Sequence, residues 1–236
     1  MTTLVAKASK RRRIKLGDFD LERNAILGAA GRIIFFSGTK IRYAGGEEFT
    51  VHGFPKGWDI SALQVSPENP SVFLAEAGSF PGGPCGEGTA AVYRIIPSRT
   101  VQLLGGYDTC QVAPHFAWSP DGHKILWDLG PPDGPYITGG FGGHYRLVGK
   151  PLGRQAEGGV WSPDGRSVAY AITTWQHLAE TLVLNLSTGA RHVVGRGGPA
   201  GWSPDGKYLL LGHPGDIASV PATGGPEHVL FNINYG

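Results

Sequence analysis

A five-residue motif, Trp-Ser-Pro-Asp-Gly, occurs three times in this chain of 236 residues. The copies begin at Trp118, Trp161 and Trp202, and each leads at once into a run rich in apolar residues. Proline fixes a backbone torsion for a tight turn, and Asp-Gly supplies the residues that such turns favour. Because the copies recur at intervals of roughly forty residues, the chain repeats one supersecondary unit.

Two weaker units precede these three. Val65 begins a copy that keeps Ser-Pro but replaces Asp-Gly with Glu-Asn, and Leu27 holds the fifth position by spacing alone. Each unit carries strand-like runs separated by turn residues, such as TLVLNL, STGAR and HVV in the fourth unit. Four strands repeated at this period are typical of a β-propeller blade. We therefore predict an all-β protein, a single five-bladed β-propeller of four-stranded antiparallel blades, whose first strands end near these five positions.

Composition agrees with this fold class. The chain has 38 Gly and 18 Pro, yet 10% of its residues are aromatic. So many helix breakers exclude a helical bundle, and so many large apolar side chains argue against a disordered chain. No run approaches 18 consecutive apolar residues, so no transmembrane helix is expected.

The Ser-Pro-Asp-Gly turn behind an aromatic residue, followed by a strand that ends in Ser-Thr-Gly, resembles the WD40-like PD40 repeat of TolB-type propellers. The resemblance covers about residues 20–236. It implies a propeller and leaves the activity open, because such blades occur in partner-binding proteins and beside enzymes. The named member of that group has six blades, so a six-bladed or incomplete ring is the alternative architecture.

The domain organisation follows from the repeat. Residues 1–17 are expected to form a basic tail or a closing strand, and residues 18–236 the propeller. The blades are expected at about residues 20–56, 57–106, 107–154, 155–196 and 197–236.

The connections between second and third strands grow in blades two, three and four. They are expected at 79–88, 130–143 and 172–180, all at one face, whereas the opposite face carries short turns and looks structural. Long neighbouring loops are commonly functional, and exposed aromatic residues resemble interface anchors. We therefore expect a non-catalytic propeller that binds a protein or peptide through these loops. A role as one subunit of a larger assembly is compatible with this expectation. The candidate binding residues are Phe80, Tyr136, Phe141, Trp175 and His177 in these loops, with Trp58, Tyr107 and His115 from connections at the same face.

An alternative function is a propeller enzyme acting on a carbohydrate in the central funnel. Glycosidases need two carboxylates at a defined separation. The acids nearest the entrances of the first strands are Asp20, Asp59, Asp108 and Glu157. No serine-hydrolase, zinc or phosphate-loop motif occurs, so we predict no catalytic residue, metal site or cofactor.

The beginning of the chain is basic, and only weakly suggests nucleic acid or an anionic surface as a partner. Charged residues follow it, so no export signal is expected and a cytoplasmic location is favoured over an exported one. The cationic residues are Lys7, Lys10, Arg11, Arg12, Arg13 and Lys15.

The chain has two cysteines, Cys85 and Cys110. Both are expected at the long-loop face of adjacent blades, so a disulfide is geometrically permitted. The expected cytoplasmic location argues against this disulfide, because thiols in the cytoplasm are normally kept reduced.

Overall fold

The computed structural model describes residues 25–27, 33–44, 47–79, 89–96, 99–108, 115–128, 134–148, 156–173 and 179–232. The chain divides into two units, the first ending at Gln111 and the second starting at Val112. Strands are the regular elements of the described ranges, and none of those ranges contains a helix long and apolar enough to cross a membrane.

The first unit holds two four-stranded antiparallel sheets, each with its strands in chain order. We call them blades one and two. Blade one consists of β1 (Ala25–Leu27), β2 (Ile33–Ser37), β3 (Lys40–Tyr43) and β4 (Glu48–Thr50). Blade two consists of β5 (Asp59–Val65), β6 (Phe73–Gly78), β7 (Thr89–Ile96) and β8 (Arg99–Asp108).

The second unit holds three such sheets, which we call blades three, four and five. Blade three consists of β9 (His115–Trp118), β10 (Lys124–Asp128), β11 (Tyr136–Gly139) and β12 (Gly142–Leu147). Blade four consists of β13 (Ala156–Trp161), β14 (Ser167–Thr173), β15 (Ala179–Asn185) and β16 (Arg191–Arg196). Blade five consists of β17 (Gly198–Trp202), β18 (Tyr208–His213), β19 (Asp216–Pro221) and β20 (His228–Asn232).

The predicted ends of the first strands are confirmed in all five blades. β1 ends at Leu27, β5 at Val65, and β9, β13 and β17 at the three motif tryptophans. The Ser-Pro-Asp-Gly turn stops the strand because proline cannot donate to a sheet and the glycine has a positive φ, 68° at Gly165.

Within each unit, apolar residues between successive blades form the core. In the first unit, Ile34 and Phe36 of blade one belong to one buried cluster with Leu63 and Phe73 of blade two. In the second unit, one cluster joins Leu126 and Ile137 to blade four, and another joins blades four and five. Side chains alternate between the two faces of a strand, so in β15 Leu182 and Leu184 join the cluster with blade three while Val183 joins the cluster with blade five.

The motif tryptophans were expected to be buried between blades. Trp118 and Trp161 are each 8% exposed, and Trp161 packs in the cluster between blades three and four. Trp202 is half-buried against the cluster between blades four and five. Burial is therefore confirmed for two of the three, and only partial for Trp202.

Blade three departs from the predicted loop boundaries. The segment 130–143, expected to be one loop, contains the whole of β11 and the turn that follows it. Gly139 pairs with Gly142, so Gly140 and Phe141 form the tip of the β11–β12 hairpin. The expectation that Tyr136 and Phe141 share one loop was wrong, because a strand separates them.

Candidate functional site

Each blade has two ends with different connections. We call the end that carries the first-to-second and third-to-fourth strand connections the turn end, and the opposite end the loop end. In an antiparallel sheet with its strands in chain order, the first-to-second and third-to-fourth connections lie at one end, and the second-to-third connection lies at the other. Phe141 therefore lies at the turn end of blade three, whereas Tyr136, the first residue of β11, lies at the loop end.

Side-chain hydrogen bonds fix the turn end of blade four. The Ser162 hydroxyl donates to Oδ1 of Asp164 at 2.6 Å, and its oxygen accepts the backbone N–H of Ser167 at 2.9 Å. Oδ1 of Asp164 also accepts the backbone N–H of Arg166 at 3.0 Å. The motif serine and aspartate thus hold the two strands at a set separation.

The same geometry recurs in blades three and five. The serine hydroxyl donates to the aspartate at 2.5 Å between Ser119 and Asp121, and at 2.6 Å between Ser203 and Asp205. These hydroxyl bonds, and then the backbone N–H bonds, lower the pKa of Asp121, Asp164 and Asp205 below the ordinary aspartate value. The repeated aspartates therefore close their turns as hydrogen-bond acceptors, and the lowered pKa favours their ionised form.

A nearly fully exposed aromatic side chain stands at the turn end of blade three. Phe141 is 80% exposed at the tip of the β11–β12 hairpin. The backbone N–H of Gly140 donates to the carbonyl of His123 at 2.7 Å, which ties this tip to the neighbouring motif turn. A Cβ on Gly140 would lie 3.0 Å from the carbonyl oxygen of Gly122 and 3.1 Å from the Trp118 ring, so a glycine allows this close approach.

Two clefts open at the turn end of the second unit. The first, about 510 Å³, lies between blades three and four and is lined by Lys124, Arg146 and Arg166 among others. The second, about 470 Å³, lies between blades four and five and includes Asp164 and Asp205. Both volumes fall within the range of small-ligand sites.

The structure describes the positions of four residues expected at the loop end, and their exposure differs. Trp58 precedes β5 and is half-buried, with its ring centroid 6.4 Å from that of Tyr93 at 80°. It therefore covers its own blade. Tyr107 lies within β8 and His115 begins β9, so both belong to strands and not to the connection predicted for them. His115 is exposed, and Tyr136 is half-buried.

Several candidate residues fall outside the described ranges. They are Phe80, Trp175, His177, Cys85, Cys110 and the six cationic residues from Lys7 to Lys15.

Aromatic packing closes the loop end of blade three. The Trp127 ring centroid lies 6.3 Å from Phe116 and 5.6 Å from Tyr145, and its Nε1 donates to Oγ1 of Thr138 at 2.8 Å. Trp127 is fully buried. These rings pack together at the loop end of the sheet, whereas the exposed Phe141 lies at the turn end.

Of the four candidate acids, the structure describes the side chain of Asp59 alone. Asp59 begins β5 and Asp108 ends β8, the first and fourth strands of one sheet. Three strand spacings put these backbones about 14 Å apart, and the Asp108 side chain lies outside the description. Asp20 and the Glu157 side chain lie outside the description, and within the described ranges no cluster of three His, Cys, Asp or Glu is placed to hold a metal.

No family model matches the chain, and no curated protein matches it. Solved β-propellers are similar in fold. The nidogen/laminin complex aligns at TM-score 0.59 and 14% identity, over 86% of this chain and 79% of that one. A protein assigned as TolB from Agrobacterium tumefaciens aligns at TM-score 0.54 and 23% identity, over 80% and 67%.

A puromycin hydrolase aligns at TM-score 0.59 and 15% identity, over 85% of this chain and 37% of that one. At such identities the similarity shows the fold alone. Together with the five four-stranded antiparallel sheets formed by the described residues, it makes this chain an all-β protein of the five-bladed β-propeller class.

Sequence reasoning missed the turn-end features. The alternation in YIT, followed by Gly-Gly-Phe-Gly and then HYRL, is the local signal for the β11–β12 hairpin. The clefts have no comparable signal, because each combines side chains from two different repeats.

Proposed function

We propose that this chain is a non-catalytic protein- or peptide-binding propeller that docks its partner at the turn ends of blades three and four. The observation that carries the proposal is the 80% exposure of Phe141 at the tip of a hairpin that is hydrogen-bonded to the adjacent motif turn. Aromatic side chains held on a rigid support are typical anchors of protein interfaces.

The neighbourhood of this anchor supports docking. Lys124 pairs with Gly139 in β11, two residues before Phe141, so the anchor and one wall of the 510 Å³ cleft belong to the same end of one sheet. A partner that contacts Phe141 therefore lies beside a concave surface. The propeller of the nidogen/laminin complex provides a precedent for a protein-binding role of this fold.

The long loops of blades two to four offer a second surface, at the loop end. Their candidate anchors are Phe80, Tyr136 and Trp175, with His177 beside Trp175 in the sequence. Phe141 lies at the turn end of its sheet, whereas Tyr136 lies at the loop end. The two surfaces are therefore separable by substitution.

Peptide selection tests the proposal directly. Peptides selected from a random display library against the wild-type chain are titrated into wild type, Phe141→Ser and Phe231→Ser. Phe231 is a matched control because it is an apolar aromatic, 61% exposed, on β20 of blade five. We expect Phe141→Ser to weaken binding at least tenfold and Phe231→Ser to change it by less than about twofold.

The opposite results are equally defined. Selection of no peptide, or unchanged affinity in Phe141→Ser, contradicts docking at the turn end. Loss of binding in Tyr136→Ser or Trp175→Ser with Phe141→Ser unaffected assigns docking to the loop end. Turnover of a glycoside by the wild-type chain contradicts the non-catalytic assignment.

A further inference from the structure

The two turn-end clefts occupy equivalent places in the repeat but differ in charge. Ile137 pairs with Leu126 in blade three as Val183 pairs with Ala169 in blade four, so these two residues are equivalent. Each lines the cleft between its own blade and the next. The repeat therefore builds the same cleft twice, and the side chains around it set its specificity.

Cations surround the cleft between blades three and four. Lys124 begins β10, Arg146 pairs with Ile137 from β12, and Arg166 follows the motif turn of blade four. The corresponding cleft between blades four and five has Ser167 where the first has Lys124, and its lining adds Asp164 and Asp205. One cleft is basic and its repeat-related neighbour is acidic.

The acids nearest these cations are already engaged in their own turns. Asp121 accepts hydrogen bonds from the Ser119 hydroxyl and the backbone N–H of His123, and Asp164 accepts the equivalent pair from Ser162 and Arg166. Among the described residues, no ion pair within 4.0 Å involves Lys124, Arg146 or Arg166. The serine and backbone donors are neutral, so Asp121 and Asp164 stay charged and offset part of the charge of Lys124 and Arg166. The described lining of the cleft itself holds three cations and no carboxylate, so it keeps an excess of positive charge.

The rest of the lining suits a short peptide. Ile137 is 5% exposed at the base of the cleft, and half-buried Leu186 adds a second apolar contact. The Asn185 amide oxygen accepts the backbone N–H groups of Ser187 and Thr188 at 3.0 Å each, which leaves its NH₂ group to donate. Arginine guanidinium groups bind carboxylates through paired hydrogen bonds.

The geometry points to the cleft between blades three and four as a docking site for an acidic peptide segment, with carboxylates on Arg146, Arg166 and Lys124 and an apolar side chain on Ile137. This inference rests on the proposed peptide-binding function and names the chemistry of the partner. Beside it, Phe141 at the same end of blade three contacts a further part of that partner.

Calorimetric titration with three short end-blocked peptides of equal length tests the charge requirement. The first alternates glutamates around a central leucine, the second has glutamines in their place, and the third has lysines. We expect the glutamate peptide to bind, the other two to bind at least about tenfold more weakly, and affinity for the first to fall as salt rises. Equal binding of the glutamate and glutamine peptides overturns the inference.

Substitutions locate the site. The double variant Arg146→Gln with Arg166→Gln is expected to weaken glutamate-peptide binding about tenfold. Lys207→Gln is the matched control, because Lys207 holds the repeat position of Arg166 but lies 3.6 Å from Asp205 in an ion pair. We expect it to change the affinity by less than about twofold. An unaffected double variant, or no binding by the wild-type chain, overturns the inference.

The outcomes separate this inference from the function on which it rests. If binding of the display-selected peptides requires Phe141 but not Arg146 and Arg166, the docking function is supported and the specificity for acidic peptides is contradicted. Glutamate-peptide binding that depends on the arginines, without any Phe141-dependent peptide, removes the proposed anchor and keeps the cleft.

Discussion

The indole Nε1 of Trp161 donates a hydrogen bond of 3.0 Å to the backbone carbonyl of Ala117. Ala117 immediately precedes Trp118 on the first strand of the preceding blade. Trp202 repeats the contact one blade later, with its Nε1 3.4 Å from the carbonyl of Val160. Each of these tryptophans is therefore hydrogen-bonded to the residue that precedes the motif tryptophan of the previous blade. The sequence repeat thus produces the same hydrogen bond between two successive pairs of sheets.

Removing the Trp161 side chain tests this link. Trp161→Ala creates a cavity in the core between blades three and four and leaves the Ala117 carbonyl without its indole donor. We expect the free energy of unfolding to fall by about 3–5 kcal/mol. Trp161→Phe keeps much of the apolar contact and is expected to cost less. Urea denaturation of the variants measures both values.

Trp202→Ala is the internal comparison. Trp202 is half-buried and its hydrogen bond is longer, so its loss is expected to cost less than that of Trp161. Equal losses for the two alanine variants contradict the dependence on burial.

The motif serines offer a second test. Ser162 is 4% exposed, and Ser162→Ala removes the hydroxyl that donates to Asp164 and accepts from Ser167. We expect a loss of about 1–3 kcal/mol, because a partly buried backbone N–H loses its acceptor. Ser203→Ala removes the same bonds at a half-exposed turn, where water replaces them, so its cost in urea denaturation should be smaller. A larger cost for Ser203→Ala contradicts this explanation.

The repeat made the fold predictable from the sequence. Proline and Asp-Gly mark the end of the first strand in each strong unit, and the spacing extends this to Leu27 and Val65. The β11–β12 hairpin was missed, because its glycines resemble those of a loop. Glycine permits both structures, and the strand residues between the glycines are too few to dominate the pattern.

The candidate site was harder to predict, since it depends on contacts between repeats. Nothing local indicates that Arg146 of blade three faces the same cleft as Arg166 of blade four. The exposed position of Phe141 likewise depends on the hairpin register and on the fit of Gly140 against the motif turn. Sequence indicates which aromatic residues lie outside the core pattern, but not at which end of the blade each one stands.

Close strand packing at Gly78 gives a third prediction. A Cβ at this position would lie 2.7 Å from both the Ala90 Cβ and the Thr89 carbonyl oxygen. We expect Gly78→Ala to lower the thermal unfolding midpoint, with a cost of about 1–3 kcal/mol, because backbone must move. Gly201→Ala is the control, since no atom lies within 4 Å of a Cβ there and its φ is not left-handed. It should be neutral or slightly stabilising, and similar midpoints for both variants contradict the packing argument.

The motif aspartates predict a specific dependence of stability on pH. Serine hydroxyl and backbone hydrogen bonds favour the charged form of Asp121, Asp164 and Asp205, so their pKa is lower in the folded chain than in the unfolded chain. A lowered carboxyl pKa stabilises the fold above the unfolded-state value of about 3.9, and this contribution is lost as pH falls through the folded-state pKa below it. The affected window therefore lies below about pH 4.

The triple variant with Asp→Asn at these positions keeps the amide oxygen as an acceptor but cannot ionise. We expect the excess stability of the wild-type chain over this variant to be constant above about pH 5 and to shrink as pH falls below about 4. Urea denaturation over a pH series measures the free energy of unfolding of both chains. Taking the difference between them cancels the contribution of the titratable groups that both chains share. Ser→Ala at Ser119, Ser162 and Ser203 retains the carboxylates but removes the largest cause of the lowered pKa. That variant should therefore show a weaker decline than wild type, and a difference that does not change with pH contradicts the role assigned to these bonds.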